Sequence, residues 1–241
     1  MSGQEAKRTA AAGAPRRRGR RPSLTIAQIA LVALNIADEE GLDAVTVKRI
    51  GQALGVGAMT LYGYVRTKEE ILDSMTDVAI GTVELPTRGS WQMQLCEFFT
   101  NTHEMLTQHP AVALLNARQP MGAGPATLAA VERVLELIVS SGLRGEAAVG
   151  ALRSLMSYTL GSALFYVARQ GALAESALHQ RATNIHAAPR TSFPVIVQLA
   201  DELATESKAD HFEQGLIQLV AGIESAVAGQ PAGKPAHWVS D

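Results

Sequence analysis

One stretch constrains this chain more than any other: Thr46-Val-Lys-Arg-Ile-Gly-Gln-Ala-Leu-Gly-Val-Gly-Ala-Met-Thr-Leu-Tyr-Gly-Tyr-Val-Arg-Thr-Lys68. Thr46 can cap a helix, and Val47, Ile50 and Leu54 then share one of its faces. Gly55 supplies the left-handed residue that ends it. A shorter helix follows at once, with Val56, Leu61 and Val65 on its apolar side and Tyr62 and Tyr64 elsewhere on its surface. Two helices joined by a short glycine turn, the second one brief, describe a helix-turn-helix. Packing through Ile50, Leu54, Val56 and Leu61 leaves the start of the second helix free to enter a major groove. On spacing alone, two antiparallel core helices of an α-helical enzyme fit as well.

The rest of the chain carries the same helical period. Ile26, Ile29, Ala30, Ala33, Leu34 and Ala37 recur at three- and four-residue steps before Gly41. Thr67 to Glu70 reads as a capping box, opening a helix at Lys68 that is expected to run to about Leu85, before Pro86. Ser90 caps a helix with a stripe of Trp91, Leu95, Phe98, Thr102, Met105 and Leu106, and His109-Pro110 ends it. A short helix over about 111–117 follows, and Pro125 opens another to about Ser141. Residues 146–170 form the most apolar helix, with bulky residues all round its circumference, as expected of a helix surrounded by protein. Residues 171–192 lack a clear period and read as a loop. Helices over 194–204 and about 209–228 complete an all-α chain of about ten helices, with no convincing two-residue alternation anywhere.

Charge is segregated. The net charge is −2, yet residues 1–24 hold seven basic residues and the single acid Glu5, leaving the acidic excess to the remainder. A basic arm on an acidic body marks a chain that touches a polyanion at one end; a solvated tail is the alternative. The division expected is a basic arm over 1–22, a helix-turn-helix domain over 23–70, a binding and dimerisation domain over 71–228 and a flexible tail over 229–241. The lone Cys96 cannot form an intrachain disulfide, and the six histidines show no H-x-x-x-H pairing, so neither a metal site nor a cofactor is expected. The longest uncharged stretch of the apolar middle, Ser154 to Ala168, falls short of the roughly 20 residues of a spanning helix. No signal-peptide-like apolar run precedes Leu24, so a cytoplasmic protein without membrane contact is expected.

Residues 24–72 resemble the DNA-binding domain of the TetR (tetracycline-repressor-like) family. The resemblance rests on Ala-Asp-Glu-Glu-Gly-Leu at 37–42, Thr46, Leu-Gly-Val at 54–56, Leu61-Tyr62, Tyr64, and Lys68 followed by Glu69, Glu70 and Leu72. His109-Pro110, Ser141-Gly142-Leu143, Ser157-Tyr158 and Leu160-Gly161 extend it into the family's C-terminal domain. It implies a transcriptional regulator, not an enzyme. Ala58, Met59 and Thr60 would face base edges or flanking phosphates, Tyr62, Tyr64 and Lys68 would grip the backbone, and Thr46 would meet a phosphate at a helix N-terminus. Lys48 stands where some relatives carry a guanine-reading arginine, but it lacks the planar fork. Gly57 stands where a capping serine is common and Gly63 where a larger side chain often reaches DNA, so readout by the second helix is expected to be thin. Arg17, Arg18, Arg20 and Arg21 approximate the Arg-Gly-Arg-Pro pattern of minor-groove arms and would supply part of the affinity.

The small residues Gly150, Ser154, Ser157 and Gly161 form a flat ridge at helical spacing, and Phe212, Leu216, Leu219 and Ile223, with Gly215 nearby, form an apolar stripe. In the family such helices build a four-helix dimer interface; burial inside one chain is the alternative. The family also holds an apolar pocket between the helices of 90–170, for which His103, Asn116, Arg118, Gln119, Arg153, Tyr158 and Phe165 are the polar or aromatic candidates. The leading expectation is a homodimeric repressor of a palindromic double-stranded operator, released by a small apolar or amphipathic effector. A constitutive DNA-binding regulator without an effector, and an all-α binding protein or enzyme, stay open beside it.

Overall fold

The computed structural model describes residues 24–118, 122–169, 172–204 and 210–228. The expected arm and tail therefore lie outside the described residues. Among the described residues the chain is all-α, with twelve α-helices and one 3₁₀ turn.

The head comprises α1 (Ile26–Glu40), α2 (Val47–Leu54) and α3 (Ala58–Leu61), followed by α4 (Lys68–Ile80). Thr25 and Gln28 cap α1 reciprocally: the Thr25 hydroxyl accepts from the Gln28 amide at 3.2 Å, and Gln28 Oε1 accepts from the Thr25 amide at 3.0 Å. Burial of Ile29, Ala33, Leu34 and Ala37 against Ile71, Met75 and Ala79 fixes α1 on α4. The expected cap of α4 is present, Thr67 Oγ1 accepting from the Glu70 amide at 3.1 Å. The Glu70 carboxylate reaches the Arg66 amide instead of that of Thr67, at 2.7 Å, so the box is offset by one residue.

The body holds α5 (Trp91–Gln108), α6 (Pro110–Arg118), α7 (Pro125–Ser140), α8 (Gly145–Ala168) and α12 (Asp210–Val227). In it α8 packs on α5, α6, α7 and α12. Between them α9 (Ala172–His186), α10 (Pro194–Gln198) and α11 (Ala200–Ala204) pack on one another. Helix α4 belongs to both halves, because it packs on α1 and also on α6 and α7.

Four expectations need correction. The 171–192 loop contains α9, whose alanine content sustains a helix without an apolar stripe to announce it. The helix from Lys68 stops at Ile80 rather than Leu85, since the Thr82 hydroxyl takes the Ala79 carbonyl at 2.7 Å and Val83 turns inward. The helix over 194–204 breaks at Leu199, whose ψ of 24° closes α10. Helix α8 is not covered all round within the chain: Ala148, Leu152, Leu155, Thr159 and Ala163 are buried, whereas Val149, Phe165 and Tyr166 are exposed.

Candidate nucleic-acid interface and ligand cavity

Helix α2 begins where Thr46 Oγ1 accepts from the Arg49 amide at 3.1 Å and ends at Gly55, whose φ of 66° is left-handed. The Val56 amide donates to the Gly51 carbonyl at 2.9 Å, closing the turn. Ile50 and Leu61 are wholly buried in the seam between α2 and α3. A Cβ on Gly51 would lie 2.9 Å from the Val56 carbonyl oxygen, so the turn can fold this tightly only on a residue without a side chain. Sequence reasoning passed over Gly51, although a glycine inside a helix signals close approach.

That packing presents one surface. Thr46, Lys48, Ala58, Thr60, Tyr62, Tyr64 and Lys68 are exposed, and Met59 stands 84 % exposed at the start of α3. Arg49, the neighbour of Lys48, is engaged elsewhere: its Nη2 donates to Glu40 Oε1 at 2.6 Å and its Nε to the same oxygen at 3.0 Å. This pair ties α2 to the end of α1, and the guanidinium holds the Glu40 carboxyl below the usual carboxylate range. Arg17, Arg18, Arg20 and Arg21 lie outside the described residues.

Two polar ties join this head to the body. At the α5–α6 junction His109 Nδ1 lies 2.7 Å from Asp38 Oδ2 on α1. On α4, Asp77 Oδ1 accepts from the Thr127 amide at 2.8 Å and from its hydroxyl at 3.0 Å, capping the first turn of α7 from another helix. A Cβ at Gly124 would overlap the Asp77 carboxylate, so this approach also needs a bare backbone.

The residue preceding Asp77 opens onto a cavity of about 470 Å³, within the usual range for small-molecule sites. Thr76 and Ile80 of α4 form one part of its wall. Phe98, Phe99 and Thr102 of α5, Val134 of α7, and Leu152 and Met156 of α8 are among the rest. Of the expected ligand residues, Asn116 and Arg153 line it, and Ser157, expected at the dimer interface, does so too. His103, Arg118, Tyr158 and Phe165 do not, and Gln119 lies outside the described residues.

His103 and Tyr158 serve a different seam. The His103 ring stacks on Phe212 at 4.0 Å and Tyr158 stacks on the same ring at 5.4 Å, binding α5 and α8 to α12. Tyr158 Oη donates toward the carbonyls of His211 and Phe212, each at 3.1 Å. Its ring occupies the space a Cβ on Gly215 would take, which explains that glycine. His103 Nε2 is buried without a partner, and burial pushes the imidazole below its ordinary pKa while Glu104 opposes this more weakly.

The expected dimer residues divide in two. Phe212, Leu216 and Ile223 are buried inside the chain together with Val220, so this stripe is intramolecular core rather than a free face; Leu219 and Gly215 are half-buried. Gly150 and Gly161 of α8 face open space, and Ser154 is exposed. Phe165 continues their ridge one turn beyond Gly161 and is 66 % exposed, with the Arg169 guanidinium 5.5 Å from its ring centre.

Comparison with known proteins finds matches to two successive stretches of the chain. Residues 29–75 match the model for bacterial regulatory proteins of the tetR family, and residues 85–227 match that for the tetracyclin repressor-like C-terminal domain. The chain is 30 % identical over 221 residues to the HTH-type transcriptional repressor DrrR1 of Streptomyces coeruleorubidus, covering 88 % of this chain and 81 % of that protein. It is 27 % identical to the class E tetracycline repressor protein of Escherichia coli, over 84 % of this chain and 92 % of that one. Among solved structures it is similar to ActR of Streptomyces coelicolor in complex with actinorhodin, with a TM-score of 0.78 at 31 % identity, covering 86 % of this chain and 98 % of that one. The head built on Gly51 and the body around the cavity are thus matched one after the other along the chain, which belongs to the tetR family of bacterial regulatory proteins.

Proposed function

We propose that this regulator represses transcription as a homodimer on a palindromic operator, acts in the cytoplasm, and leaves DNA when a small apolar or amphipathic molecule fills the cavity. Helix α3 enters the major groove, with Ala58, Met59 and Thr60 at base edges or flanking phosphates. Thr46, Tyr62, Tyr64 and Lys68 hold the backbone, Lys48 adds positive charge beside them, and Arg17, Arg18, Arg20 and Arg21 follow the minor groove. The cavity binds rather than catalyses: the Thr102 and Thr159 hydroxyls are turned to carbonyls of their own helices at 2.8 Å.

The observation that carries this reading is the position of α4. It is the next element after α3, across a short turn, its middle packs on α1, and Thr76 and Ile80 near its end stand in the cavity wall. A ligand that displaces this wall moves the base of the recognition helix. A complete switch requires about 5.5 kcal/mol of preference for the released conformer. The existence of ActR structures with a bound compound, and of a named repressor among the relatives, supports the ligand-responsive repressor over a constitutive DNA-binding protein.

The test begins with selection of bound fragments from genomic DNA, followed by fluorescence anisotropy on the recovered sequence. A two-fold sequence bound by a dimer is expected, and Ala130→Phe, which fills the cavity, is expected to abolish release by compounds that displace the wild type. Release undiminished in that variant would remove the cavity from the mechanism.

A further inference from the structure

The cavity has an uneven distribution of charge. Arg153 is the one charged side chain among its described lining residues, and no carboxylate is present there. The guanidinium has no ion pair among the described residues. Val149, Arg153 and Ser157 succeed one another at four-residue steps on α8, and all three are exposed as well as lining, so they mark the mouth. Behind them Phe99 is wholly buried, and Phe98, Val134 and Leu152 close the depth.

The polar groups inside have largely spent their protons. The Thr102 hydroxyl donates to the Phe98 carbonyl and that of Thr159 to the Leu155 carbonyl, each at 2.8 Å. Thr127 donates to Asp77 at 3.0 Å, and Asn116 Nδ2 to the Val112 carbonyl at 2.9 Å. The three threonines still offer lone pairs, and Asn116 offers its Oδ1 and its second Nδ2 proton. The Thr102, Thr127 and Thr159 part of the interior therefore accepts hydrogen bonds, and the mouth supplies positive charge.

We infer that the effector is an organic anion. Its apolar body fills the depth, any hydroxyls it carries donate to the spent threonines, and one anionic oxygen group, a carboxylate, sulfonate or ionised phenol, meets Arg153. A cationic ligand would be repelled there, and an uncharged one would gain less from the guanidinium, lacking the charge-assisted part of the hydrogen bond. This inference rests on the cavity being the effector site.

Two dyes separate the claims. 8-Anilinonaphthalene-1-sulfonate and N-phenyl-1-naphthylamine share one aromatic skeleton and differ by the sulfonate. Fluorescence titration of the full chain is expected to give about tenfold tighter binding of the sulfonate, the worth of a charge-assisted hydrogen bond. Arg153→Gln is expected to weaken the sulfonate alone and bring the two dyes within about twofold of each other. Equal affinities in the wild type, or a sulfonate affinity unmoved by Arg153→Gln, would overturn the anion while leaving the cavity as effector site. Val134→Trp is expected to exclude both dyes, and Met156→Trp, a change in a half-buried wall residue, serves the same purpose if the first fails to fold. Binding of both dyes that survives the filling variant, or binding of neither dye to the wild type, would overturn the cavity reading itself.

Discussion

Gly51 and Gly215 are bare so that something else can stand where a side chain would be. At Gly51 that neighbour is the carbonyl of Val56, a backbone atom that cannot swing aside. Gly51→Ala is therefore expected to lower stability in urea unfolding by about 1–3 kcal/mol, the usual cost of overpacking, despite the better helix propensity of alanine. The role of Gly215 could not be read from the sequence, because its partner Tyr158 lies on another helix, and Gly51 signalled a close approach without naming Val56; Gly55 and Thr46 could be read, because their partners are within four residues. His103 tells the same story. It was expected in the pocket, and the Phe212 ring on which it stacks instead could not be read from α5 alone. With its folded pKa depressed by burial, His103 favours folding when neutral; that contribution is complete above its unfolded pKa of about 6.5 and is lost as pH falls through that value toward the folded one. Thermal unfolding at pH 7.5 and 5.5 is expected to show a larger drop for the wild type than for His103→Phe, and equal drops would show that this imidazole contributes nothing to the pH dependence.

At the scale of elements, the stripes of α1, α2 and α5, the caps of α2 and α5 and the opening proline of α7 were legible because each signals itself locally. Ser90 caps α5 and Pro125 opens α7 where expected. What escaped was the traffic between elements. The cap of α7 is Asp77, fifty residues earlier in the chain. Asp77→Ala is expected to cost about 0.5–2 kcal/mol, the value of a lost helix cap. If the carboxylate also couples α4 to the body, DNA release by an effector should weaken while effector affinity stays near the wild-type value. The cavity was half legible for a related reason: Asn116 and Arg153 point to it by polarity, but Thr102 and Thr159 read as ordinary members of apolar helices until the packing placed them in one wall. The stripe through Phe212, Leu216 and Ile223 was ambiguous in principle, since an apolar face does not reveal whether its cover is the same chain or a second one.

For the whole molecule, the exposed ridge of α8 predicts assembly. Ser154→Arg, placed in the open space between Gly150 and Gly161, is expected to shift sedimentation from dimer toward monomer without changing the helical content. Charge segregation gives a second test: removal of residues 1–21 should flatten the logarithmic salt dependence of operator binding by about one unit of slope for each phosphate that the arm no longer neutralises. An unchanged slope would free the arm of any role on DNA. The double membership of α4 bears on how such proteins can be recombined. Ile71, Met75 and Ala79 cover α1, yet they lie on the body side of a boundary drawn at residue 70. A head excised there would carry away α1 without its cover, and a chimera joined there would ask a foreign helix to fit it. Exchange of operator specificity between relatives therefore has its natural junction beyond Ile80, where the graft brings the cover along with what it covers, provided that it keeps the Thr76, Asp77 and Ile80 that serve the body.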